Sequence, residues 1–67
     1  MKGFVEILKM STHYHYSGIA DVEVSFIIDY EDGQTISTEV AFSKYNYSYS
    51  DIMTCIQKYF KGDLKFR

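Results

Sequence analysis

Sixty-seven residues make at most one domain, with a marginal core, because a chain this short buries only about 60% of its unfolded surface. Hydrophobic residues at 46% exclude a disordered chain, and a net charge of −2 gives no long-range attraction for phosphate backbones or anionic membranes. Cys55 is the only cysteine, which excludes an intrachain disulfide, and no apolar run approaches the roughly 20 residues of a membrane helix.

Small domains usually lean on a disulfide, a metal or a partner chain. With the first excluded, a partner chain is a serious option. The opening "MKGFVEILKM" does not read as a signal peptide, since Glu6 and Lys9 break its apolar run and no small-residue cleavage site follows. The expectation is one soluble, cytoplasmic domain over residues 1–67, with no cofactor.

Residues 4–16 alternate as a strand, with Phe4, Leu8, Met10, Tyr14 and Tyr16 on one face and Lys9, Ser11, His13 and His15 on the other. Glu6 interrupts the apolar face; Val5 and Ile7 interrupt the polar one. Residues 19–30 alternate more cleanly. Ala20, Val22, Val24, Phe26, Ile28 and Tyr30 point inward, and Asp21, Glu23, Ser25 and Asp29 outward. Residues 35–42 repeat the pattern, with Ile36, Val40 and Phe42 inward and Ser37 and Glu39 outward.

Register decides the turns. A two-residue turn at Asp32-Gly33 would set Ile28 opposite Ser37 and put the apolar faces on opposite sides of the sheet. A three-residue loop, Glu31-Asp32-Gly33, restores the match and puts Gly33 at the left-handed position. Tyr16-Ser17-Gly18 is read the same way.

After Ser48 the period becomes helical. Ile52, Cys55, Ile56, Tyr59 and Phe60 form an apolar stripe. Ser48 or Ser50 can cap the start, Asp51 and Lys58 suit the dipole, and Gly62 is the expected stop. The tail 63–67 either packs on the helix end or adds a short strand. The expected fold is α+β: a three-stranded antiparallel sheet (β-β-β-α) with one C-terminal helix packed on one face.

This register places His13 opposite Asp21 and His15 opposite Ile19. His13, His15 and Asp21 are the weak candidates for a metal, with Glu23 as diagonal neighbour. A zinc site usually draws on a more explicit ligand set, so the reading preferred is a solvated hairpin tip with a cross-strand His–Asp pair worth about 0.2–1 kcal/mol. Cys55 reads as a buried thiol on the helix stripe. No phosphate loop or nucleophile elbow is present, and no enzyme is expected. In "KYNYSYS", Tyr45, Tyr47 and Tyr49 could stack bases, but they lack a basic groove; the simpler reading covers the sheet edge and helix start.

The order β-β-β-α resembles, over Phe4 to Lys61 and in topology alone, the small arm-binding domains of tyrosine recombinases and the plant AP2-type domains. That resemblance implies a sheet inserted in the DNA major groove. The chain departs from it in sign: the outer face carries Asp21, Glu23, Asp29 and Glu39, with Lys9 the only lysine or arginine, and carboxylates there repel phosphate.

The reading adopted is a small acidic protein-binding module, an inhibitor that blocks a surface of its target. In size, charge and lack of motifs it is similar to phage-encoded anti-defence proteins, anti-CRISPRs among them. The expected interface is an apolar patch of Val5, Ile7 and Ile27 on the open sheet face, rimmed by Lys9, Asp21, Glu23, Asp29 and Glu39. The partner is a protein or a second copy; nucleic acid is unlikely on charge and membrane is excluded. The alternatives are nucleic-acid binding through the sheet or the tyrosines, and a self-associating structural protein.

Overall fold

The computed structural model describes residues 1–16, 20–43 and 47–67. Three strands follow one another, β1 (Lys2–Tyr14), β2 (Ala20–Tyr30) and β3 (Thr35–Ser43); a helix, α1 (Tyr49–Tyr59), and a short strand, β4 (Asp63–Phe66), complete the chain. The fold is α+β, but the sheet has four strands and is mixed. Its order is β3-β2-β1-β4, and β4 runs parallel to β1. The three-stranded antiparallel expectation is corrected by this tail strand, whose Leu64 is buried beside Gly3. Gly3 suits this close packing: a Cβ on it would lie 2.7 Å from Leu64 Cδ2 and 3.1 Å from Ile28 Cγ2 and Tyr30 Cδ1, so these side chains would have to shift.

The β2–β3 hairpin has the three-residue loop. Ile28 pairs with Ile36, Tyr30 N–H donates to the Gln34 carbonyl at 2.8 Å, and Gly33 takes φ +93°. The Gly18 loop and His15's expected neighbour Ile19 lie outside the described residues.

The β1–β2 ladder holds the main correction. Its register jumps between Ile7 and Lys9, so Leu8 is an extra, bulged residue. Before the bulge Val5 pairs with Ile28 and Ile7 with Phe26; after it Met10 pairs with Val24 and His13 with Asp21. A bulge inserts one residue and so reverses the inside–outside phase beyond it. Val5 is therefore fully buried and Ile7 packs against the core, while Phe4 turns to the open face and is 44% exposed. The alternation of β1 is two regular patterns joined out of phase.

Ser48 caps α1 in a capping box with Asp51: Asp51 N–H donates to Ser48 Oγ, and Ser48 N–H to the Asp51 carboxylate at 2.8 Å. The helix ends at Tyr59, with Phe60 as its C-cap, before Gly62. Ile52 and Ile56 enter a core built on Val5, Val22, Val24, Phe26, Ile28, Tyr30 and Leu64. Phe60 meets Phe26 edge to face at 5.5 Å. Tyr59, expected on the buried stripe, is 64% exposed. Burial of each such Val, Ile or Phe contributes about 1.5–3 kcal/mol, which is what holds the helix on the sheet.

Eleven helical residues span about 16 Å, whereas the thirteen of β1 reach about 43 Å. The molecule is accordingly elongated, 44 × 17 × 16 Å. The surface the helix leaves bare falls on β1, where Leu8, Met10 and Tyr14 are exposed. Among the described residues no helix is long and apolar enough to cross a membrane.

Candidate interface on the open sheet face

Partners in a ladder share a face, so the register assigns the open side of the sheet. Phe4, Glu6, Lys9, Ser11 and His13 come from β1; Asp21, Glu23, Ser25, Ile27 and Asp29 from β2; Ser37 and Glu39 from β3. Lys9, Asp21, Glu23, Ile27, Asp29 and Glu39 thus stand where the alternation predicted them. Val5 and Ile7 do not: the bulge moves both to the covered side, and the patch they were expected to form with Ile27 is absent.

A different apolar pair takes its place. Phe4 faces Asp29 and Glu6 faces Ile27, so Phe4 and Ile27 are diagonal neighbours on one face. Phe4 was hidden from sequence reasoning by the assumption of one continuous phase. The signal that could have found it was the break itself, with Val5, Glu6 and Ile7 all out of step around Leu8.

β4 also changes the electrostatics. It brings Lys65 opposite Phe4, and Arg67 Nη2 donates to Asp29 Oδ2 at 2.7 Å. Lys9 is therefore not the only cation on this side. The face is polarised: carboxylate and cation mix around Phe4, and acid predominates at the far end around Asp21, Glu23 and Glu39. A shallow depression there is lined by Lys9, Ser11, His13, Glu23, Ser25 and Glu39.

The histidines sit at that acidic end as two separate pairs. His13 Nε2 lies 3.1 Å from Glu23 Oε2, and His15 Nε2 lies 2.7 Å from Asp21 Oδ2. Backbone pairing sets His13 opposite Asp21, yet each imidazole reaches a different carboxylate. The His15 hydrogen bond, with a second from Ser43, holds the Asp21 carboxyl below the usual carboxylate range. Among the described residues no three His, Cys, Asp or Glu side chains are arranged to hold a metal ion.

Cys55, Tyr47 and Tyr49 make packing contacts away from the histidine pairs. Burial pushes the half-buried Cys55 thiol up, against a smaller opposing effect of Lys58, so it is a poor nucleophile. Tyr47 packs edge-on against Phe42 at 6.0 Å and Tyr49 against Phe66 at 5.5 Å. Tyr45 lies outside the described residues.

No family model matches this chain, and no curated protein or solved structure matches it.

Proposed function

We propose that this chain is a protein-binding module that engages its target through the open face of the sheet, acting as an inhibitor by covering a surface. The supporting observation is the Phe4–Ile27 pair, with Phe4 44% exposed toward one end of an otherwise polar face, among mixed charges that give way to acid at the other end. Aromatic anchors within a polar rim carry most of the energy of protein interfaces. The acidic end around Asp21, Glu23 and Glu39 favours a basic partner surface, such as one that otherwise holds nucleic acid.

The test is capture from a lysate of the native host with the parent and with Phe4→Ala. The exchange leaves the covered core untouched, so the melting curve should hold. The parent should retain a discrete protein that the variant loses, and retention should weaken as salt rises. Equal capture by both would remove Phe4, and with it this reading.

A further inference from the structure

The outer edge of β1 is only half covered. β4 pairs with Lys2 through Val5, and Arg67 N–H adds a bond to the Val5 carbonyl at 2.9 Å. Beyond the bulge, residues 9–14 pair with β2 on one side and, among the described residues, with no strand on the other. Such an edge is a template for another strand. We propose that its occupant is a second copy of this chain, with β1 pairing antiparallel to the partner's β1 about a twofold axis through Thr12.

Charge selects this edge for self-association. The chain is net negative, yet residues 7–16 contain no Asp or Glu. The opposite edge of the sheet, β3, carries Glu39 at its centre, where a twofold copy would set two carboxylates against each other.

Side chains select the axis. Centring on Thr12 sets Met10 opposite the partner's Tyr14, Ser11 opposite the partner's His13, and Thr12 opposite its own copy. A thioether on an aromatic ring and a threonine pair are both favourable across strands. Lys9 then meets the partner's His15, whose other contact is a carboxylate. Centring on Ser11 instead would part Met10 from Tyr14 and set Met10 against the partner's Thr12. Met10 and Tyr14 pair with Val24 and Ala20, so they lie on the helix side. They are 39% and 80% exposed there, and the second copy covers what the short helix leaves bare. An axis normal to the sheet keeps both helices on one side of a continuous eight-stranded sheet.

Sedimentation of the full chain from micromolar to sub-millimolar concentration tests this. The mass should rise toward twice that of the monomer. Thr12→Lys, which opposes two ammonium groups on the axis, should stay monomeric with the parent's circular dichroism. In a Cys55→Ala background, Thr12→Cys should form an interchain disulfide under mild oxidation, while Thr38→Cys on β3 should not. The Thr12→Cys arm decides the matter if Thr12→Lys folds poorly. A parent that is monomeric throughout overturns the proposal, as does a dimer indifferent to Thr12→Lys whose Thr12→Cys form does not cross-link. A monomer whose Thr12→Lys form loses a captured protein would assign the edge to another chain. Phe4→Ala leaves this edge intact, so failure here is distinguishable from failure of the open-face reading.

Discussion

Asp21 connects hairpin geometry to solution behaviour. It stands near the end of β2, accepts from His15 at 2.7 Å, and its carboxyl titrates below the usual range, first because of that bond and then because of Ser43. A carboxyl whose pKa is depressed on folding contributes stability that is present above its unfolded pKa. That contribution is lost as pH falls through the lower, folded value. In carbon-detected NMR titrations, the Asp21 midpoint should be low in the parent and return toward the ordinary range in His15→Ala. The two stability curves should differ near neutral pH and draw together in acid. An unchanged midpoint would mean that the His15 bond is not formed in solution. The pair is exposed, so its contribution is screened and small.

Leu8 explains why the alternation of β1 is less legible than that of β2 and β3. In β2 every second residue from Val22 to Tyr30 is buried, so alternation alone gives its face. The β2–β3 register followed from matching Ile28 to Ile36 and from the need for glycine at a positive φ. In β1 the same rule fails at one place, because a bulge carries no residue-type signature here beyond the phase change it causes. Deleting Leu8 tests this directly. Without it, Ile7 and Lys9 become consecutive and face Phe26 and Ser25, already consecutive on β2. The shortened chain should fold with every other cross-strand pair kept, visible as unchanged Ile7–Phe26 and Met10–Val24 contacts in NMR. Deleting Thr12 instead should turn His13 onto the covered side opposite Val22 and lower the melting temperature. If the Leu8 deletion unfolds the chain while the Thr12 deletion does not, the phase change lies elsewhere.

At the scale of the molecule, β4 decides whether the sheet closes over its core. Four residues with two apolar side chains are too few for a periodic signal, so the sequence left the tail between packing and pairing. The structure shows both: residues 63–66 pair with Lys2–Val5, Leu64 is buried and Phe66 packs against Tyr49. Tyr30 also anchors the approach to β4, donating its hydroxyl to the Lys61 carbonyl at 2.6 Å. The tail's exposed Arg67–Asp29 ion pair is worth about 0.2–1 kcal/mol. Truncating Leu64 to Ala should cost about 2–5 kcal/mol, so burial outweighs the ion pair. Domains hold about 5–15 kcal/mol in all, and one this short belongs at the low end. Leu64→Ala should therefore lower the urea midpoint far more than Arg67→Ala. Removing residues 63–67 should unfold the chain, or leave it aggregating through the newly bared edge at Lys2–Val5. A truncated chain that melts like the parent and stays dispersed would show that β1, β2, β3 and α1 suffice, with β4 a passenger on their edge.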